Sequence, residues 1–289
     1  MTAGDPSGSV VRRILLGSQL RRLRESRGIT REAAGYSIRA SESKISRLEL
    51  GRVSFKARDV EDLLTLYGVS DEAERGALLS LVKEANVAGW WHSYSDVLPG
   101  WFQTYVGLEG AASAIRGYEA QFVHGLLQTE AYAHAVVERG MRGASHEDVE
   151  RRVALRLARQ KVLVAERAPE VRFVLDEAAL RRVHGGPEVM RGQLDHLVEA
   201  AQMPHITLQV VPFGHGWHAG ESGTFTLLSF PESDLPDVVF LEQLTSALYL
   251  DKAEDVAQYE KAMQRLQEEC PSPEESLRLL ERISAEFAQ

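Results

Sequence analysis

The chain has 289 residues, 44% apolar and 26% charged, with a formal net charge of −9, a size that predicts two domains, each able to bury a core. No apolar run reaches the roughly 18 residues that a membrane-spanning helix needs, and the first residues, MTAGDPSGSV, lack a basic region followed by an apolar stretch, so neither a membrane-spanning helix nor a secretory leader is expected. The single cysteine, Cys270, excludes an internal disulfide and a cysteine-ligated zinc finger, so a reducing, cytoplasmic setting is expected.

In chain order, residues 1–10 are small, polar and Gly/Pro-bearing and read as a disordered arm. From Val11 a helical period begins, with Ile14, Leu16, Leu20 and Leu23 spaced among arginines and Gly28 as the stop. Thr30 reads as the N-cap of a short second helix carrying Ala33, Ala34 and Ile38. Ser41 caps a third, with Ile45 and Leu48 on one face and Gly51 closing it. A fourth helix carries Val60, Leu63, Leu64 and Tyr67, and a fifth runs from Asp71 to about Ala88. Residues 11–88 thus form an all-helical head.

Charge is unevenly spread. Residues 11–68 hold thirteen Lys or Arg against seven Asp or Glu, a local charge of +6, and the chain from residue 69 onwards carries −14. A basic head on an acidic body suits a protein in which one domain meets a polyanion and the other does not.

Residues 89–105 contain three of the four tryptophans and read as an irregular aromatic linker between domains. Helices are predicted over about 107–121, 128–139 and 146–167, then again over about 176–203, 252–269 and 273–287. Short β-branched or aromatic runs at 171–175, 206–211, 223–230, 238–242 and 247–250 read as strands. The fold class expected is α+β multidomain. The helical head is followed, over 106–289, by a mixed helical domain with a mostly antiparallel sheet.

The segment 28–51 carries the chemistry. Two short helices joined by a tight turn match helix-turn-helix geometry. Ala34, Ile38, Ile45 and Leu48 lock the pair, which leaves Ser41, Glu42, Ser43, Lys44 and, one turn on, Arg47 facing outward. A helix start aimed into a major groove places such side chains at base edges and its free N–H groups near phosphate.

With its S-x-S-x-I-S-R-x-E-x-G pattern at 41–51, the head resembles the Xre/phage-repressor class of helix-turn-helix domains. The resemblance implies base reading by Glu42, Ser43 and Arg47 with Lys44 adjoining, and phosphate contacts from Thr30, Arg31 and Arg52, to which Arg39 and Ser41 are added. Arg47 suits O6 and N7 of guanine, and Glu42 a cytosine amino group. The resemblance makes Glu49 structural. Family members often have Gly where this chain has Arg39, at a cost of about 1 kcal/mol if that residue is left-handed.

The segments LLQTEAYA, FVLDEAALRR, MRGQLDHLVEAA, ITLQVVPF and SGTFTLL resemble the large C-terminal domain of actinobacterial Xre-type regulators described as toxin–antitoxin-like, the WhiJ-like proteins among them. This implies a small acidic partner protein. It also marks His124, where the family usually has Pro, as a residue that loosens the helix start after it. A homodimer on a double-stranded DNA operator is expected, because one head makes few base contacts.

Other constellations are weaker. His215, Trp217, His218 and Glu221 lie in a Gly-rich inter-strand loop, a candidate effector or partner contact rather than a metal site, since a loop fixes no ligand geometry. No nucleophile elbow, H-E-x-x-H or phosphate loop occurs, Asp176 and Glu177 read as a helix start, and Cys270 reads as a buried, inert thiol. No catalytic residue, metal or cofactor is expected. The leading function is DNA-binding transcription regulation. Two alternatives stay open: an antitoxin-like receptor whose DNA binding is autoregulatory, and a small-ligand sensor.

Overall fold

A computed structural model describes residues 8–141, 143–231 and 235–288. The chain divides into two compact units, one comprising residues up to Ser93 with Gln103–Ala111, the other Tyr94–Phe102, the run from Ala112 to Pro231 and the chain from Pro236 onwards. Among the described residues no helix is long and apolar enough to cross a membrane.

The first unit contains helices α1 (Gly8–Ser26), α2 (Arg31–Ser37), α3 (Glu42–Glu49), α4 (Ala57–Leu66) and α5 (Glu72–Ala85). Their inward faces form one core, in which Leu16, Leu20, Ala34, Ile45, Leu48, Leu63, Leu64, Tyr67 and Leu78 are buried. This is the apolar set that the helical period selects. Gly17 lets α1 lie directly on α3, since a Cβ there would stand 2.5 Å from the Leu48 carbonyl oxygen. Arg12 pairs with Glu84 at 2.7 Å, joining α1 to α5. Past the end of α5, Asn86 exchanges two hydrogen bonds with the backbone of Phe55. The arm expected over 1–10 does not include Gly8–Val10, which form the start of α1, with Ser9 and Val10 buried. Residues 1–7 lie outside the described residues.

The aromatic segment is more regular than expected. Trp90–Tyr94 form a 3-10 turn and α6 spans Gly100–Glu109. Trp91 is fully buried in the first unit. In the second unit, Phe102 meets the Phe240 ring edge to face at 6.3 Å and the Trp101 carbonyl accepts from Tyr249 Oη at 2.6 Å.

The second unit is built on strands β1 (Ala114–Glu119), β2 (Glu170–Asp176), β3 (Ile206–Val211), β4 (Phe225–Ser229), β5 (Val238–Glu242) and β6 (Ala247–Leu250). They form one mixed sheet in the order β3-β2-β1-β4-β5-β6. The pairs β4–β1, β4–β5 and β5–β6 are antiparallel, whereas β1, β2 and β3 run parallel. Parallel neighbours need long crossovers. Helices α7 (Glu130–Gly140) and α8 (His146–Gln160) supply the first, and α9 (Glu177–Arg181) and α10 (Pro187–Ala200) the second. Helix α11 (Ala253–Glu269) packs Val256, Met263 and Leu266 against Tyr118, Val174, Leu227 and Val239 of the sheet. Helix α12 (Pro273–Glu286) opens on a capping box between Ser272 and Glu275, with Pro273 at its first position.

The helix predicted over 107–121 is thus replaced by the end of α6 and by β1. His124 does not loosen the turn that it precedes. Its Nδ1 accepts from the Leu126 N–H at 3.3 Å, capping a 3-10 turn, and its ring stacks on Phe173 with centroids 4.2 Å apart. Burial, with Arg159 and Arg156 near, holds this imidazole well below its ordinary pKa, so it stays neutral and keeps the acceptor the cap requires.

Candidate nucleic-acid interface

The two central helices of the head start on hydroxyl caps. Thr30 Oγ1 accepts from Ala33 N–H at 3.1 Å and Ser41 Oγ from Lys44 N–H at 3.2 Å. Each hydroxyl still has its own proton to donate, which suits a phosphate oxygen. The α2–α3 turn is a Schellman motif: Arg39 N–H bonds the Tyr36 carbonyl at 3.2 Å and Ala40 N–H the Gly35 carbonyl at 2.8 Å. The motif demands a left-handed residue, and Arg39 occupies it with φ of 55°. Helices α1, α3 and α4 end in the same pair of bonds, but with Gly28, Gly51 and Gly68 at that position.

Helix α3 buries Ile45, Leu48 and Glu49 and exposes Glu42, Ser43 and Arg47, while Ser41 is exposed at its cap. Arg47 Nε donates to the Ser43 carbonyl at 3.3 Å, so the guanidinium lies back along the exposed face toward the helix start. The first N–H groups of α3 and its dipole favour an anion at that end.

Two predicted contacts have other engagements. Lys44 Nζ lies 2.7 Å from Asp59 Oδ2, tying the first turn of α3 to that of α4. Arg31 Nε donates to Glu49 Oε2 at 2.9 Å. Glu49 is buried, and Arg24 holds it through Nε to Oε1 and through Nη2 to Oε2 at 3.1 Å. That hydrogen bonding raises the Arg24 pKa above its ordinary value. Arg24 also reaches the Ile29 carbonyl at 2.8 Å, so this hub fixes the loop leading into α2. Glu49 is structural, as the resemblance implies.

Among the described residues, Arg22, Arg39, Arg47, Lys56 and Arg58 form no ion pair. Arg52 is exposed. Lys56 and Arg58 were not singled out from sequence. They lie at the start of α4, beside the Asp59 that holds Lys44, and so extend the cationic surface next to the start of α3. Tyr36, 87% exposed at the end of α2, offers a ring and a hydroxyl on the same motif. An aromatic outside the apolar period of so short a helix was the available signal.

The Gly-rich loop of the second unit does not assemble its four residues. Trp217 is 62% exposed with Arg265 over its ring at 5.7 Å, His215 is half-buried and Glu221 is exposed. His218 is turned inward, unlike Trp217 and Glu221. It is buried, accepts from Gly220 N–H at 3.1 Å, and lies 3.8 Å from an Asp176 oxygen that also accepts from Tyr118 Oη at 2.9 Å. Asp176 and Glu177 are partnered at the start of α9: Asp176 caps Ala178 N–H, and Glu177 accepts from Arg181 and from Phe213 N–H. Cys270 is buried, its thiol pushed up to about 11 by desolvation.

These features define a helix-turn-helix regulator whose DNA-binding head precedes an α+β domain. Residues 15–78 match a helix-turn-helix domain family. Residues 102–282 match the family described as a domain of unknown function, DUF5753, and the chain belongs to that family. Neither a curated protein nor a solved structure matches the chain.

Proposed function

We propose that the protein is an Xre-class, cytoplasmic, non-enzymatic transcription regulator that binds a double-stranded DNA operator as a homodimer, with α3 in the major groove. In this reading Glu42, Ser43 and Arg47 meet base edges. Thr30, Ser41, Arg39 and Arg52 hold phosphates, joined by Lys56, Arg58 and the Tyr36 hydroxyl. Lys44 and Arg31 act through Asp59 and Glu49, positioning α3 rather than reading sequence. The observation that carries the proposal is the exposed Glu42–Ser43–Arg47 face, presented at a helix start near Lys56 and Arg58, which form no ion pair among the described residues. The α+β domain is the regulatory half, taking an effector or a small acidic partner protein, with His215, Trp217 and Glu221 as its candidate contacts.

The test is titration of duplexes selected from a randomised pool, followed by fluorescence anisotropy at several salt concentrations. Arg47→Ala should lose about 1–3 kcal/mol of discrimination at one base position. Arg52→Ala should weaken all duplexes alike and lower the salt slope by about one. Unchanged base preference in Arg47→Ala removes α3 from the reading role, and the absence of any saturable duplex binding removes the function.

A further inference from the structure

We propose that α7 and α8 together form a binding site for a divalent transition-metal ion of the zinc class, with His134, His146 and Glu150 as ligands. The sequence writes one spacing twice, His134-x3-Glu138 on α7 and His146-x3-Glu150 on α8, and an i, i+4 step places each pair on one helix face. An apolar seam of Ala133, Val137, Val149 and Val153 holds the two helices together. His134 follows Ala133 in sequence and Glu150 follows Val149, so the polar pairs border that seam on rigid elements.

Glu150 Oε1 lies 3.1 Å from His134 Nε2 and 4.0 Å from His146 Nδ1. The three ligand atoms all fall within 4.8 Å of one another. Tetrahedral zinc with ligands at about 2.0–2.2 Å separates them by roughly 3.3–3.6 Å, a geometry that small side-chain rotations on fixed helices reach. On the far side of His134, Glu138 Oε2 stands 3.9 Å from Nδ1. With Nε2 given to the metal, the proton sits on Nδ1, and a small rotation brings Glu138 within reach of it, so Glu138 is a positioning residue. A His134–Glu150 ion pair needs no second imidazole, yet His146 converges on the same carboxylate oxygen. Two imidazoles and a carboxylate select zinc-class ions over the oxygen-bound calcium and magnesium. Three protein ligands leave a coordination position for solvent or a further group, and the ion would clip α7 to α8.

The experiment is calorimetric titration of the chelator-treated full chain with Zn2+, with the visible spectrum of the Co2+ form as a geometric readout. One equivalent should bind, and Co2+ should show the intense d–d bands of a four-coordinate site. The combined His134→Ala/His146→Ala variant should bind at least tenfold more weakly and lose the Co2+ bands, while His196→Ala, on α10, should match the native chain. Glu150→Gln, which keeps hydrogen bonding but removes the anionic ligand, should weaken binding similarly, and Glu138→Ala by about tenfold. The proposal is overturned by the absence of saturable binding, or by Zn2+ affinity and Co2+ bands that persist in the double-histidine and Glu150→Gln variants.

Discussion

The side chain that departs most from its local rule is Arg39. Four helix ends of the head share one hydrogen-bond pattern, and only this one lacks glycine at the left-handed position. A Cβ in that conformation costs about 1 kcal/mol, and the exposed Arg39 side chain makes no ion pair among the described residues that offsets it. In the proposed reading Arg39 makes its contact outside the folded chain, and phosphate is the anion the neighbourhood favours. Arg39→Gly should therefore raise the stability of the head by about 1 kcal/mol, read as a higher denaturant midpoint at unchanged m-value. The same variant should weaken binding to every duplex alike. A more stable variant with unaltered DNA affinity would leave the strain without that function.

At the level of elements, the head was legible because each of its helices is announced twice, by an apolar period and by a cap. Thr30, Ser41 and the three terminal glycines punctuate the sequence where the structure does. The sheet was less legible. β1, AIRGYE, has one β-branched residue and a glycine, so its sequence carries no strand pattern; its place comes from pairing with β2 on one side and β4 on the other. With β1 unseen, α7 and α8 do not read as a crossover, which hides the parallel β1–β2 pair, whereas the helix predicted over 176–203 between two strands was the available signal for the parallel β2–β3 pair. Long-range placement also decides the chemistry of Glu119, the last residue of β1. Desolvation, with Glu242 adding like charge, lifts its pKa to about 8. The native state then binds a proton that the unfolded chain, with an ordinary carboxyl near about 4.3, has released. Stability from this group therefore falls as pH rises toward 8. His124 acts in the opposite sense, since its depressed pKa makes stability fall as pH drops below its ordinary value of about 6.5. Between about pH 6.5 and 8 only the Glu119 contribution changes of these two, and Glu119→Gln should flatten the decline in urea midpoint there. An identical slope in the variant would place that proton elsewhere.

At the level of the whole molecule, the charge division explains how a chain of net −9 can meet DNA. Screening over roughly 8 Å at physiological salt keeps the acidic remainder from cancelling the +6 of residues 11–68 wherever the two are farther apart than that. Low salt strengthens phosphate attraction and body repulsion together. Charge alone, however, gives no address in a genome. In the proposed reading a single α3 offers three base-reading side chains; at about 1–3 kcal/mol each they supply roughly 3–9 kcal/mol, which covers the roughly 4–10 kcal/mol separating specific from non-specific binding in typical regulators only when all three pairs are well made. Two heads on a two-fold axis would double the base contacts, and this is the physical case for the proposed homodimer. Equivalent major-groove faces recur each helical turn, about 10–10.5 base pairs or 34–36 Å, so the half-site spacing is a geometric consequence of the dimer. Inserting about five base pairs between the half-sites turns one of them to the opposite face of the duplex. Affinity should then drop to that of a single half-site, and light scattering should report two chains on the native operator. One chain per operator, with affinity indifferent to the insertion, would assign the whole of recognition to a single head and remove the two-fold assembly from the mechanism.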